Sequence, residues 1–228
     1  MKSDILNLFF SYDFENEINE KMMYRKYAFE YDKVKDYVDM LLSVSQKEYI
    51  DYIVENYDVS FLTYSNIVQF SSFDNGTYRF CDVVKAAGND GYKSAQIGEL
   101  LLNDGVDRKR GALLKYGENH ANLAVEYGLA HEMSNTYFLT CLGYIINDLT
   151  PEEKDQLLFR LILRTKFIRR IIYRISTDGV ASYKSEASIL KESTLLRRRS
   201  NFKTEIKFLV EHSDEEVIDW LLKINYDV

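Results

Sequence analysis

Residues 126–143 read EYGLAHEMSNTYFLTCLG, and the reading of this stretch decides the reading of the chain around it. Two short runs with extended-favouring residues flank Ser134-Asn135, a pair suited to a tight turn, so a small hairpin is expected here. A further helix is expected to begin in LTCLGYII.

Working upstream, SAQIGELLLNDG (94–105) predicts a helix capped by Ser94 and ended by Gly105. DRKRGALLKYGENHANLAVEYGL (107–129) predicts a second, capped by Asp107, with Leu113, Leu114, His120, Leu123 and Ala124 at helical spacing. Helix, short turn, helix, hairpin, helix is the order of a winged helix-turn-helix. On Gly128, Leu129, Leu139, Thr140 and Gly143, the stretch resembles the end of many prokaryotic winged-helix domains, a likeness covering about fifty residues. The resemblance implies that the second helix enters the major groove of DNA, bringing Arg108, Lys109, Arg110 and Lys115 with it.

Downstream, Thr150-Pro151-Glu152-Glu153 is a helix start with cap, first-turn proline and capping box. One helix is expected from there to Asp178-Gly179, its apolar stripe punctuated by Arg160, Arg164, Arg169, Arg170 and Arg174. A short helix in YKSEASILKE then precedes STLLRRRS (193–200), where Ser193 or Thr194 would cap a longer one. That helix bears Arg197, Arg198, Arg199, Lys203 and Lys207; Leu195, Leu196, Phe202, Ile206 and Leu209 are expected inward, and Arg198, Arg199 and Lys203 mostly outward. The arrangement also resembles C-terminal helical units of prokaryotic restriction and phage-defence proteins, on Ser193, Thr194, Arg197 and Arg198. The tryptophan expected further along is absent, Ile206 and Phe208 standing in that vicinity. That likeness implies target-DNA binding beside a nuclease or ATPase partner.

The first sixty residues carry helical spacing at Met23, Tyr27, Val34, Tyr37, Val38 and Leu41, then again through KEYIDYIVENY. Between Val59 and Phe80 the turn signal Asp74-Asn75-Gly76 suggests a hairpin. Charge is regional. Net charge is −7 overall, yet residues 154–209 hold 14 basic and 5 acidic side chains, against 7 and 13 in residues 1–60. Fields are local within a Debye length of about 8–10 Å, so a basic unit can meet a polyanion inside an acidic chain. Those arginines can equally pair with acids of the same chain.

Catalytic patterns are sparse. Asp178 with Glu205-Ile206-Lys207 fits the residue types of a metal-assisted phosphodiesterase, but on a helix Glu205 and Lys207 diverge by about 200°. His120, His131 and His212 lack metal-ligand spacing, and no phosphate-loop, dinucleotide or nucleophile-elbow motif occurs. Cys81 and Cys141 read as small core residues, and most of the 18 tyrosines as packing. With one proline and no run of eighteen apolar residues, the expectation is a cytoplasmic, mainly α protein with small β hairpins (α+β), without membrane contact. It comprises an acidic helical region (1–79), a winged-helix-like unit (80–148) and a basic helical unit (149–228). The expected function is non-enzymatic binding of double-stranded DNA, as a regulator or an accessory or specificity component of a restriction or anti-phage system, with no cofactor, metal or catalytic residue. The site is Arg108, Lys109, Arg110, Lys115, Arg197, Arg198, Arg199 and Lys203. The alternatives are a protein-interaction scaffold, with homo-oligomerisation open, and a metal-dependent nuclease.

Overall fold

Segments with apolar residues three and four apart become helices, and the computed structural model is mainly helical. It describes residues 2–11, 27–59 and 61–227; Met23 lies outside them. The acidic end supplies α1 (Lys2–Phe10), α2 (Tyr27–Ser43) and α3 (Gln46–Glu55). Val34, Val38 and Leu41 bury the face the spacing assigned them, while Ser45 and Glu48 form a capping box at the start of α3.

Where a hairpin was expected, Phe73–Gly76 forms a short helix, α4, leading into α5 (Tyr78–Lys85). Ser72 accepts from the Asn75 amide and caps that turn, and Gly76 packs so tightly on Leu123 that a Cβ there would lie 2.5 Å from its Cδ2. Local capping and this contact override the Asn-Gly turn propensity.

The middle of the chain gives α6 (Ser94–Leu102), α7 (Arg110–Glu126), strands β1 (Ala130–Met133) and β2 (Thr136–Leu139), and α8 (Cys141–Ile145). β1 and β2 pair antiparallel, Ala130 opposite Leu139 and Met133 opposite Thr136. The helix starts differ from expectation. α6 begins at Ser94 itself, with Gln96 accepting from the Lys93 amide, and α7 begins after Lys109, leaving Asp107 in the preceding loop.

Thr150, Pro151 and Glu153 make the expected cap of α9 (Pro151–Arg164). The single helix expected to Asp178 is instead broken at Thr165. Its extended backbone, with Oγ1 donating to the Ile162 carbonyl, separates α9 from α10 (Lys166–Asp178), which Gly179 ends in a left-handed conformation. β3 (Ala181–Ser182), α11 (Tyr183–Glu186), α12 (Glu192–Glu211), α13 (Glu215–Leu221) and β4 (Ile224–Asn225) follow, β3 and β4 pairing in parallel. α12 starts after Lys191, so Ser193 and Thr194 lie in its first turn and do not cap it.

A single cluster of buried side chains runs from Ile5 to Ile224 and includes both cysteines. Among the described residues no helix is long and apolar enough to cross a membrane.

Candidate nucleic-acid interface

Two glycines let α7 lie directly on α6. A Cβ at Gly117 would stand 1.8 Å from the Ser94 carbonyl oxygen, and one at Gly98 2.0 Å from that of Leu113, so backbone touches backbone. Gly117, His120, Ala121, Leu123 and Ala124 fill the inner face of α7. His120 donates from Nδ1 to the Tyr116 carbonyl at 2.7 Å and accepts at Nε2 from the Ser72 amide at 3.2 Å. Burial lowers its pKa and keeps this ring neutral, as the accepting nitrogen requires.

The hairpin is locked to α7 by the residues that carried the resemblance. Gly128 takes φ +74°, the Leu129 amide donates to the Ala124 carbonyl at 2.8 Å, and Thr140 Oγ1 donates to the Gly128 carbonyl at 2.6 Å. The same hydroxyl accepts from the Gly143 amide, starting α8. Ser134 and Asn135 both adopt positive φ, the geometry of a two-residue hairpin turn. Tyr92 pairs with Tyr137 through two backbone bonds, adding a third short segment beside β2.

The outer face of α7 is solvent-facing at Arg110, Leu114 and Asn122, four and eight residues apart on a helix about 25 Å long, with Lys115 exposed beside Leu114. Leu114 is thus exposed, contrary to the inward placement expected. Lys109 and Arg110, at the head of the helix, make no ion pair with any described residue. Lys115 pairs with Glu118 at 3.0 Å. Arg108 is turned back in a forked pair with Asp104, at 2.5 and 2.6 Å, and those hydrogen bonds hold the aspartate down to about 2.

The arginine run divides. Arg197 is exposed and unpaired among the described residues. Arg198 turns inward, Nη1 donating to the carbonyls of Tyr64, at 2.6 Å, and Ile67, with its guanidinium 5.5 Å from the Tyr64 ring centroid. Arg199 reaches the Tyr226 carbonyl at 3.4 Å, and Lys203 lies 5.1 Å from that tyrosine's ring. The outward placement of Arg198 and the inward placement of Leu196, which is 49% exposed, are therefore exchanged. The cause is register: Leu195, Arg198, Phe202, Glu205 and Leu209 form one stripe at steps of three and four, and Leu196 lies off it.

Lys115 and Arg198 nevertheless open onto one cleft of about 420 Å³, lined also by Gln69, Asn119 and Asn122 and by the carboxylates of Glu118 and Glu126. A second groove, about 740 Å³, runs between α7 and the hairpin past Lys93, Arg110, Leu114 and Asn135, with Glu118 and Glu132 in its wall. Gln69, Lys93 and Asn122 carried no sequence signal for a site.

No family model, curated protein or solved structure matches the chain.

The nuclease pattern does not assemble. Glu205 is buried beneath the Tyr127 hydroxyl at 2.5 Å, Lys207 is exposed beside Glu211, and Asp178 pairs with Arg174. Among the described residues no group of three or more His, Cys, Asp or Glu could hold a metal ion.

Proposed function

We propose that the chain binds duplex DNA without catalysis, α6 and α7 acting as a helix-turn-helix and β1–β2 as its wing, in a regulator or an accessory component of a restriction or phage-defence system. The observation that carries this reading is the uncovered head of α7, where Lys109 and Arg110 make no ion pair with a described residue and Lys115 is exposed further along the same helix. Cations there would neutralise backbone phosphates, and Asn122, further along the exposed row, is of a type that pairs with adenine edges. Arg108, Arg198 and Arg199 serve mainly to hold loops, which narrows the contact set to Lys109, Arg110, Lys115 and Arg197.

Fluorescence anisotropy of a mixed-sequence duplex across salt tests it. Each lost phosphate contact lowers the salt slope by about 0.9, so Lys109→Ala, Arg110→Ala and Lys115→Ala together should flatten it by about 2.7, while Lys203→Ala leaves it unchanged. Absence of binding at low salt would overturn the reading. A protein-interaction scaffold is the second reading, favoured by Leu114 and Val125, both exposed along α7. It predicts a change in oligomeric state for Leu114→Ser with no duplex affinity in the parent.

A further inference from the structure

A cleft of about 470 Å³ lies where the end of α1, the last turn of α7 and the junction of α9 and α10 meet. Three cationic side chains line it: Arg164, Lys166 and Arg169. Two of them have incomplete partners. Arg169 is only 13% exposed, and although Nη1 donates to the exposed carboxylate of Asp58 at 2.6 Å, its Nε is buried with no hydrogen-bond partner. Lys166 makes no ion pair with a described residue and only approaches the Phe61 ring, at 5.9 Å. The opposing charge on the cleft itself is the single carboxylate of Glu126, which accepts from Asn66.

The backbone adds to this charge. Thr165 lines the same cleft, and although its hydroxyl donates to the Ile162 carbonyl it accepts from no helix amide, so α10 starts without a side-chain cap. A thirteen-residue helix ends its positive pole here. Surplus cations in a concave site, a buried guanidinium nitrogen without an acceptor and uncapped amides are together complementary to a compact polyanion with several oxygens.

We propose that this cleft binds phosphate, as the phosphoryl group of a small phosphorylated molecule or of a nucleic-acid backbone. Arg169 and Lys166 would be its main side-chain partners, the head of α10 its backbone partner, and Asp58 a competitor that occupies Arg169 when phosphate is absent. The inference does not rest on the duplex reading, since its cationic partners Lys166 and Arg169 belong to α10 and not to the head of α7, although the two clefts share Val125 and Glu126.

Isothermal titration of the full chain with inorganic pyrophosphate, at constant ionic strength, tests it through two changes at exposed side chains. One charge-assisted contact is worth about tenfold in affinity, so Lys166→Ala should weaken saturable binding by about that factor. Asp58→Asn should tighten it, because the competing carboxylate is gone; a merely structural role for Asp58 would not produce a gain. The proposal fails if the parent gives no saturable heat, or if the two variants do not move in these opposite directions. Repeating the titration with excess duplex identifies the source. Blocked pyrophosphate binding assigns the cleft to a backbone phosphate, and unchanged binding assigns it to a free phosphorylated molecule; loss of duplex binding alone leaves the pyrophosphate result standing.

Discussion

Glu205 is a carboxyl group held against its preference. Burial, and secondarily the charge of Glu126, push its pKa from 4.5 up to about 8, against the opposing pull of the Tyr127 hydroxyl that donates to it. The fold therefore favours the protonated acid more than the unfolded chain does. This contribution to stability is complete below about pH 4.5 and is lost as pH rises toward about 8, at roughly 1.4 kcal/mol per pH unit. Glutamine keeps an acceptor for Tyr127 and cannot ionise. Glu205→Gln should therefore melt at a temperature nearly constant from pH 6 to 9, where the parent's falls, and a variant that declines in parallel would refute this assignment. His120 and His131 act at the other end, since burial lowers both below 6.5. Their contribution is present above pH 6.5 and is lost as pH falls through their folded values. The spacing of α12 already held the position of Glu205, in a stripe with Leu195, Phe202 and Leu209. What it could not disclose was that a charged residue would occupy the inward register, because the partner that makes this tolerable, Tyr127, lies 78 residues away.

Elements were legible where their chemistry is local. Ser134-Asn135 and the Thr150–Glu153 box satisfy backbone groups within a few residues, so the hairpin and the start of α9 could be read directly, while the Thr140 cap of α8 was reached through the resemblance. The helix at Phe73–Gly76 and the break at Thr165 could not, since one depends on the contact of Gly76 with Leu123 and the other carries neither glycine nor proline. The candidate site was half legible for the same reason: Lys109, Arg110 and Lys115 sit where the element order puts them, whereas the bonds of Arg198 to Tyr64 and Ile67 span more than 130 residues. The crossing of α6 and α7 offers the sharpest test at this scale. With 1.8 Å between a new Cβ and the Ser94 carbonyl oxygen, Gly117→Ala must drive the two helices apart. A loss of about 3 kcal/mol is expected in chemical denaturation, within the range for overpacking at a tight core contact. On the proposed function, duplex affinity should drop with it although no charge has changed. A stable variant with parental affinity would show that the backbone contact does not set the pose of α7.

For the whole molecule, the bonds that matter join distant segments. Tyr78 donates to Asp155 at 2.5 Å, Asn201 to the Phe70 carbonyl at 2.7 Å, and Gln46 to the His212 carbonyl at 2.6 Å. Arg160 is the strongest of these ties. It is 3% exposed, and its Nε and Nη2 donate to the carbonyls of Leu41 at 3.0 Å and Val44 at 2.8 Å, while Nη1 is taken by Gln156. The guanidinium thus supplies the donors that the C-terminal end of α2 lacks, and its charge rests near the Tyr49 ring. Burying a cation without a carboxylate is costly, and here five donors placed on acceptors offset that cost. Methionine would fill much of the volume but donate nothing to the carbonyls of Leu42 and Val44, while that of Leu41 keeps the Tyr49 hydroxyl. At about 1–3 kcal/mol per orphaned buried acceptor, Arg160→Met should cost at least about 2 kcal/mol, and lower Tm by roughly 4–8 °C for a chain of this length. Because the tie joins α2 to α9 and the core is contiguous, the loss should be global: far-UV circular dichroism, which sees every helix, and the fluorescence of Trp220, in α13, should shift together in one transition. Separate transitions for the two signals would mean that the segments linked by Arg160 fold independently, and that the arginine only decorates a boundary between them.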